Sequence, residues 1–547
     1  MRINLEIPQG KRTRLYRFLE ILPGLISYGA IILLFILSWL DPIIGSIYLF
    51  ALISATLVKA VSTAYRTVQG YKVMERAGRV DWRKRMEDLE NPHDAYERLH
   101  DDNSKSYHFL EHLENLKLMA AMPGDYPDPT KTLHVIIMAA YNEGIETLGP
   151  SVEAIKKTTF PNDRIIFALA YEERGGEAME KTAKLLAEKY KGVFKDLLLI
   201  KHPADLPGEI VGKGPNLTYA GKEIADYFKK KHLPADNAIV TSLDSDNRMA
   251  PKYLDSVAYE FITHPNRQHL SYQPVSLFMN NIWDAPAPTR VIAVSNSFFN
   301  VISTMRPHAL RNFASHSQPL QALEAMDFWS KRTIVEDGHQ YWRSLFFFNG
   351  DYSVLPIRIP IYQDAVLDET FWKTVKAQFI QVRRWYYGAS DVAYVGSKLF
   401  VRRERRPVPF RKLFPKFVRL LDGHITLAIL APIVAFGGWV PTVMNLSGRS
   451  MVAFNLPNVV SVVETFASIG LIVSILVSFR MLPKRPAKYK KGKSLLMVAQ
   501  WILMPITSIL YQSIAAYYAQ TRLMFGKYME KFDVTKKVIK TREQKHS

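Results

Sequence analysis

Asp244 and Asp246 lie one residue apart, directly after an apolar stretch, residues 239–243, that has the composition of a buried strand. Open α/β sheets bind ligands at the carboxyl edge of their strands, so these carboxylates would face a ligand site. Two close carboxylates are costly unless a cation lies near them, and Mg²⁺ prefers one or two carboxylates together with substrate phosphates. Because Asp, Ser and Asn are also turn residues, a plain surface turn explains this stretch equally well when it is taken alone.

Other segments are predicted to end at the same edge with polar side chains. Asn142 and Glu143 follow the first predicted strand, and Glu172 follows the second. Lys213 lies in a glycine-containing loop that opens a helix, where it could reach a phosphate, although the loop lacks the Walker spacing. Each segment alone has a structural explanation, but together they describe a site of the size of a nucleotide sugar.

The strands that position these residues belong to a predicted soluble domain at residues 132–395. Short apolar strands alternate there with helical stretches, and this alternation predicts an α/β fold with a mainly parallel sheet. The predicted strands are residues 134–140, 164–170, 197–201 and 238–243, and the predicted helices are residues 151–158, 176–190 and 216–231.

Apolar segments of membrane-spanning length lie on both sides of this domain. Residues 21–40 and 43–61 predict a transmembrane hairpin with its turn at Asp41 and Pro42, and two more spans are predicted at residues 420–443 and 459–479. The predicted layout is an N-terminal segment with the hairpin at 1–63, a helical connector at 64–131, the α/β domain at 132–395, a basic interfacial segment at 396–419, a transmembrane region at 420–525 and a basic tail at 526–547.

Basic residues cluster beside the apolar segments, and their placement predicts an orientation. The N-terminus, segment 396–419 and loop 484–493 are rich in Lys and Arg, so the positive-inside rule places them and the α/β domain in the cytoplasm. The last apolar run, residues 495–525, is an exception because a single crossing would put the basic tail outside. Pro505 lies within this run and favours a kinked or re-entrant hairpin that returns to the cytoplasm.

The composition excludes several kinds of chemistry. The 547 residues include no Cys, which excludes thiol nucleophiles, disulfides and zinc–thiolate sites. A formal net charge of +20 indicates nucleic acid or an anionic membrane as a partner. Since the basic residues lie beside membrane-length segments, we predict a lipid bilayer and no nucleic acid. The charges deep in the membrane that a transporter needs are poorly represented.

Five short motifs occur in a fixed order along the α/β domain. They are Ala-Tyr-Asn-Glu at 140–143, Lys-Gly-Pro-Asn at 213–216, Asp-Ser-Asp at 244–246, Val-Glu-Asp at 335–337 and Gln-Val-Arg-Arg-Trp at 381–385. Each motif is short and common, but the ordered set between membrane segments resembles the inverting family-two glycosyltransferases, the group of cellulose, hyaluronan and chitin synthases. The resemblance covers roughly residues 132–395 and implies a Rossmann-like GT-A fold.

The resemblance also implies roles for individual residues. Asp246 would hold Mg²⁺ or Mn²⁺ together with the diphosphate of a nucleotide sugar, and Asp244 would lie nearer the nucleoside. Asp337 would be the general base that deprotonates the acceptor hydroxyl. The other donor-side residues would be Asn142, Glu143, Glu172 and Lys213, and the residues beside the acceptor and the diphosphate would be Glu336, Gln381, Arg384 and Trp385.

Plain structural interpretations remain open for two of these motifs. Glu336 and Asp337 could form a turn or a helix N-cap. The Arg-Arg-Trp run at 383–385 could anchor the chain at the membrane surface.

Two departures from the polymerising relatives leave the substrates open. Glu172 and Glu173 stand where those relatives often carry two aspartates, so the nucleobase is not fixed and UDP is the default. Residues 315–319 replace a Phe-Phe-x-Gly-[Ser/Thr]-like stretch that lies against the acceptor, so Ser315–Gln318 would face a different acceptor, for example a lipid-linked one.

We predict a multipass bacterial inner-membrane enzyme that transfers a sugar from a nucleotide sugar to a glycan or lipid-linked acceptor in polysaccharide and cell-envelope synthesis. The alternatives are single-sugar transfer to a polyprenyl-phosphate-type lipid and an inactive membrane scaffold.

Overall fold

The computed structural model describes residues 4–445 and 450–532, and within it the chain divides into two compact units. We call Met1–Ile7, Gly70–Asn280 and Ser303–Asp364 the sheet unit. We call Pro8–Gln69, Asn281–Ile302 and Ala365–Ser547 the helical unit.

Eight strands among the described residues form one mixed sheet. They are β1 (Leu133–Ala140), β2 (Ile165–Glu172), β3 (Asp196–His202), β4 (Ala238–Asp244), β5 (Arg248–Met249), β6 (Leu270–Leu277), β7 (Ser317–Pro319) and β8 (Ser353–Tyr362), in the order β3-β2-β1-β4-β7-β6-β8-β5. β3, β2, β1 and β4 run parallel, β7 is antiparallel to β4 and β6, and β8 is parallel to β6 and antiparallel to β5. The predicted α/β class is therefore confirmed.

Helices precede, connect and follow most of the strands. In chain order they are α1 (Arg14–Leu40), α2 (Pro42–Arg79), α3 (Trp82–Glu90), α4 (Pro92–Leu99), α5 (Phe109–Ala121), α6 (Ile145–Lys156), α7 (Gly176–Lys189), α8 (Lys213–Lys230), α9 (Tyr253–Thr263), α10 (Ala287–Thr304), α11 (Leu320–Ala325), α12 (Glu336–Phe347), α13 (Phe371–Tyr386), α14 (Ser390–Leu399), α15 (Phe410–Phe436), α16 (Trp439–Met444), α17 (Met451–Met481), α18 (Gly492–Ala499), α19 (Met504–Thr507) and α20 (Ile514–Met524).

Both faces of the parallel part of the sheet are covered, as its continuous apolar strands require. Ile136 on β1 belongs to one hydrophobic cluster, together with residues of α6, α7 and α9. Its neighbours Val135 and Ile137 belong to the other cluster, together with residues of α8 and α11. Successive residues of a strand point to opposite faces, so the two clusters follow from the sequence. The carboxyl edge of these strands remains the place for a ligand.

The four strands predicted from the sequence correspond to β1–β4, each within two residues of its predicted ends. β5–β8 were not predicted. β5 and β7 are very short, and β6 and β8 carry prolines at Pro274, Pro356 and Pro360, which are unfavourable in strands.

The two units differ from the predicted domain boundaries. No break occurs at residue 64, because α2 continues the second predicted membrane segment to Arg79. Residues 281–302 belong to the helical unit although they lie inside the predicted α/β domain. The described residues 4–7 belong to the sheet unit, although they were grouped with the N-terminal basic segment and its hairpin.

In the part of the chain that the structure describes, three helical segments are long and apolar enough to cross a membrane. They are Arg14–Leu40, Phe410–Phe436 and Gly492–Met524. The spans predicted at 43–61 and 459–479 lie within α2 and α17, although several side chains of these two helices are outside the described residues.

The last apolar run does not form the predicted hairpin. From Gly492 to Met524 it is one continuous helical segment with a 3₁₀ turn at Gln500–Leu503 and a π turn at Ser508–Ser513. Pro505 is tolerated because it stands in the first turn of α19.

The end of this segment nevertheless lies beside the beginning of α1. The Arg17 guanidinium donates to the carbonyl oxygens of Leu523 and Met524 at 3.1 and 3.0 Å. The start of α1 therefore lies beside the end of α20. Residues 533–547 of the predicted basic tail lie outside the described residues.

Candidate active site

The paired aspartates stand at the carboxyl edge of the sheet, where the sequence predicted them. Asp244 is the last residue of β4, and Asp246 follows in a turn with only 4% of its surface exposed. The Asp246 Oδ2 atom accepts a hydrogen bond from the backbone N–H of Asp364 at 3.0 Å. The Asn280 amide donates to the carbonyl oxygens of Asp246 and Tyr362 at 3.0 and 3.2 Å. The turn is thus fixed to the end of β8.

Lys213 connects the donor-side Asp244 to the predicted base, Asp337. It is the first residue of α8, and its Nζ atom lies 2.7 Å from Asp244 Oδ1, 3.4 Å from Asp337 Oδ1 and 3.7 Å from Glu336 Oε1. Burial by itself would lower the pKa of Lys213, but the charges of Asp244, Asp337 and Glu336 raise it above its ordinary value. Lys213 is therefore a charged ammonium group that lies within 4 Å of three carboxylates, one from the Asp-Ser-Asp motif and two from the Val-Glu-Asp motif.

Glu336 and Asp337 open α12, where acidic residues are stabilised by the helix dipole. Glu336 is buried, with 2% of its surface exposed, whereas 19% of the Asp337 side chain is exposed. Of the two, Asp337 is therefore the carboxylate that an incoming hydroxyl can reach.

His316 lies beside Asp337, a neighbour that the sequence did not assign. Its Nδ1 atom is 2.9 Å from the carbonyl oxygen of Phe313 and 3.9 Å from Asp337 Oδ1. Complete burial lowers the pKa of His316, so the imidazole is neutral at physiological pH. A backbone hydrogen bond from the N–H of Ser242 to the His316 carbonyl at 3.1 Å fixes this residue to β4.

Glu143 fixes the loop after β1 to the aspartate turn. Its Oε2 atom accepts the backbone N–H of Tyr141 at 2.7 Å, and its Oε1 atom accepts the Ser245 hydroxyl at 3.2 Å. Asn142 stands beside it, and its N–H donates to the same carboxylate at 3.1 Å. In this geometry Glu143 positions the loop, and its predicted contact with a donor stays a prediction.

Glu172, at the end of β2, belongs to a buried ionic network. His202 places Nδ1 at 3.2 Å from Glu172 Oε1 and Nε2 at 3.1 Å from Glu209 Oε2. Arg174 reaches the other oxygen of Glu172 at 3.2 Å. Burial alone would lower the pKa of His202, but the hydrogen bonds and charges of Glu172 and Glu209 raise it to about 9. His202 is therefore an imidazolium at neutral pH, and it shares the carboxylate that the sequence assigned to the donor.

This network predicts a pH-dependent stability. The pKa of His202 rises from its ordinary 6.5 to about 9 on folding, so its contribution is complete below pH 6.5 and is lost as the pH rises towards 9 and above. The full contribution is on the order of 3 kcal/mol. We expect the melting temperature of the wild type to fall between pH 7 and pH 9.5 and that of His202→Gln to change less. The check is thermal unfolding of detergent-purified protein across this range, and equal pH slopes in the two proteins would contradict the assignment.

Gln381, Arg384 and Trp385 lie on α13 in the helical unit. Gln381 accepts a hydrogen bond from Gln378 at 3.1 Å, and the Arg384 guanidinium stacks on the Phe532 ring at 3.7 Å from its centroid. Trp385 packs against a small hydrophobic cluster that includes Tyr511. Their predicted place beside the acceptor and the diphosphate stays a prediction.

Comparison with known families identifies the chain as a glycosyltransferase. The chain belongs to glycosyl transferase family group 2, because the model of that family matches residues 239–518, more than half of the chain. The match begins at β4, so it includes both aspartates, the Glu-Asp pair and the Gln-Val-Arg-Arg-Trp motif, whereas Lys213 lies before it. The mixed α/β sheet resembles the GT-A fold that the sequence implied.

Two solved structures are among those that match this chain. The mannosyltransferase PcManGT of Pyrobaculum calidifontis, in complex with GDP-Man and Mn²⁺, is 12% identical over 82% of this chain and 100% of its own, with a TM-score of 0.40. TarS of S. aureus (residues 1–349), in complex with UDP, is 11% identical over 72% of this chain and 92% of its own, with a TM-score of 0.34. Both TM-scores are below 0.5, so neither likeness adds to the assignment. Comparison with curated proteins gives no significant match.

Proposed function

We propose that this protein is an inverting, metal-dependent membrane glycosyltransferase that uses a nucleotide-diphosphate sugar, with UDP as the default nucleotide. The observation that carries the proposal is the position of Lys213 between Asp244 and Asp337. It brings the donor-side Asp244 and the predicted base Asp337 together at the carboxyl edge of the sheet. A single displacement needs the activated hydroxyl and the leaving diphosphate in the same site, on opposite sides of one anomeric carbon.

Asp337 is the group that would accept the acceptor proton. Its carboxylate is partly exposed, with Lys213 Nζ at 3.4 Å and His316 Nδ1 at 3.9 Å from Oδ1. As the hydroxyl oxygen attacks the anomeric carbon, its proton passes to Asp337 while the bond from that carbon to the diphosphate breaks. One displacement of this kind inverts the anomeric configuration.

Asp246 is the residue that would hold Mg²⁺ or Mn²⁺. Its carboxylate is buried beside the end of β8 and fixed by the N–H of Asp364. Among the residues that the structure describes, no group of three or more His, Cys, Asp and Glu side chains is arranged to hold a metal ion. Such a site fits an ion that takes one or two carboxylates and completes its shell with substrate phosphates. When bound, the ion would neutralise the leaving diphosphate as a Lewis acid.

Lys213 would then act on the same charge from the protein side. Lys213 carries a positive charge beside Asp244. A donor phosphate that enters the site could accept a charge-assisted hydrogen bond from this ammonium group. Glu172 and His202 stand at the end of β2 and β3, where the nucleobase is proposed to lie.

The acceptor is a glycan or a lipid-linked sugar in polysaccharide and cell-envelope synthesis at a bacterial inner membrane, with the sheet unit in the cytoplasm. The membrane-length helices and the basic segments around them support this setting.

Product analysis tests the proposal. Membranes that contain the protein are incubated with radiolabelled nucleotide sugars, and the products are separated by length and by extraction into organic solvent. Labelled product that disappears in membranes carrying Asp337→Asn supports the enzyme. A ladder of lengths identifies a polymerase, and one solvent-soluble product identifies single transfer to a polyprenyl-phosphate-type lipid. The absence of any labelled product above the mutant background contradicts the proposal and favours a scaffold.

A further inference from the structure

The first described residues of the chain lie on the sheet unit. Glu6 accepts a hydrogen bond from the Ser330 hydroxyl at 2.7 Å and forms an ion pair with Arg343. Arg343 also reaches the carbonyl oxygen of Leu5 at 3.4 Å, and Arg332 donates to the carbonyl oxygen of Ile7 at 3.3 Å. Ile7 is buried, with 7% of its surface exposed. Glu6 is the only acidic residue among residues 1–19. It is therefore the one residue of this segment whose charge can pair with Arg343.

Arg343 is a buried cation that needs this carboxylate. Its side chain is 1% exposed, and its other terminal nitrogen donates to the carbonyl oxygens of Met326 and Phe328 at 3.0 and 3.3 Å. A buried charge that loses its counter-ion is strongly destabilising, whereas a pair with good hydrogen bonds is tolerated. The position of Arg343 therefore depends on Glu6.

Arg343 lies on α12, the helix that begins with Glu336 and Asp337. Arg343 is seven positions after Glu336, which corresponds to about two turns of one short helix. A shift or a tilt of α12 at Arg343 is therefore carried to Asp337.

Ser330, the second partner of Glu6, lies against the start of α8. The Ser330 carbonyl oxygen is so close to Gly214 that a Cβ atom there would lie 2.3 Å from it. The Thr218 hydroxyl donates to the Trp329 carbonyl at 2.8 Å, and the Ile210 N–H donates to the Lys331 carbonyl at 3.0 Å. Glu6 thus contacts both the loop that packs against the start of α8, the helix whose first residue is Lys213, and the helix that carries Asp337.

We propose that Glu6 is a positioning residue for the transfer reaction, which holds Asp337 and Lys213 in register through Arg343 and Ser330. This inference rests on the proposed function. Glu6 takes no part in the chemistry, but its removal loosens the geometry in which the base meets the acceptor hydroxyl. Small misplacements of catalytic groups cost up to about 100-fold in rate.

The test compares Glu6→Gln, Glu6→Asp and the matched surface control Glu188→Gln in full-length purified protein. Glu188 is exposed on α7, so its substitution removes one negative charge from the same unit. We expect Glu6→Gln to lower kcat roughly 10- to 100-fold with KM for the nucleotide sugar within about twofold of the wild type. Glu6→Asp should recover part of the loss, and the control should match the wild type.

The outcomes separate this inference from the proposed function. If the wild type does not turn over any donor, the proposed function itself fails. If the wild type is active and Glu6→Gln keeps its kcat, even with a lower melting temperature, the segment is only a structural contact and the inference is overturned. If Glu6→Gln does not fold, Glu6→Asp and Ser330→Ala decide. The inference requires both variants to lower kcat at unchanged KM, so an unchanged kcat in either of them overturns it.

Discussion

Replacement of Asp337 by Asn is expected to lower turnover by about 10²- to 10⁴-fold, the contribution of a positioned general base. The amide cannot accept the acceptor proton, but it preserves the shape of the residue. Lys213 keeps Asp244 and Glu336 as partners, so the fold around the site is retained. Donor affinity should therefore stay within a few-fold of the wild type. The measurements are steady-state kinetics and calorimetric binding of the nucleotide sugar.

Asp351→Asn is the matched control for this prediction, because Asp351 is an exposed aspartate of the same unit, paired with His269. It should leave turnover and donor binding unchanged. Turnover of Asp337→Asn within about threefold of the control would show that another group takes the proton and would contradict the role of Asp337 as the base.

Replacement of Asp246 by Asn has the second large expected effect. The amide oxygen can still accept the N–H of Asp364, so the turn after β4 should keep its structure. The loss of the negative charge, however, weakens the binding of a hard cation such as Mg²⁺ or Mn²⁺, because these ions prefer carboxylate oxygen. We expect turnover to fall by about 10²-fold or more, and the remaining activity to be insensitive to EDTA. Activity is measured against added Mn²⁺ and Mg²⁺.

The same Asp351→Asn control applies, and it should respond to Mn²⁺, Mg²⁺ and EDTA as the wild type does. If the half-saturating concentration of Mn²⁺ or Mg²⁺ is the same in Asp246→Asn and in the wild type, Asp246 does not hold the metal ion.

The sequence predicted the part of the site that lies at the ends of the parallel strands. Asp244 and Asp246 directly follow an apolar stretch, and parallel strands bring such ends to one edge. Asp364 occupies an equivalent position two residues after β8, but β8 contains two prolines and its strand character was not evident. The signal was therefore present in the sequence and was hidden by proline.

The contacts that the sequence did not predict are long-range and depend on packing. Nothing local links Glu6 to Arg343 or His202 to Glu209, because these pairs form only when loops meet on the folded sheet. Lys213 was predicted as a phosphate contact, whereas the structure shows it bound to carboxylates of two other motifs. Its role as a link requires the sheet order, which composition and periodicity do not determine.

The membrane segments illustrate the same limit. Length and apolar composition located the helices, but they did not predict that the last run is continuous through Pro505. The contact of Arg17 with the end of α20 depends on which helices pack together.

The most direct test of the central claim is release of nucleoside diphosphate by purified, lipid-reconstituted protein across a panel of nucleotide sugars. The assay is run with Mg²⁺, Mn²⁺ and EDTA, with native membrane extract as the acceptor source, and with Asp246→Asn and Asp337→Asn alongside. The account predicts that one donor is consumed in a metal-dependent reaction that each substitution slows by about 10²-fold or more. Metal-independent release that is equal in the wild type and in both variants, or no release from any donor, would contradict it.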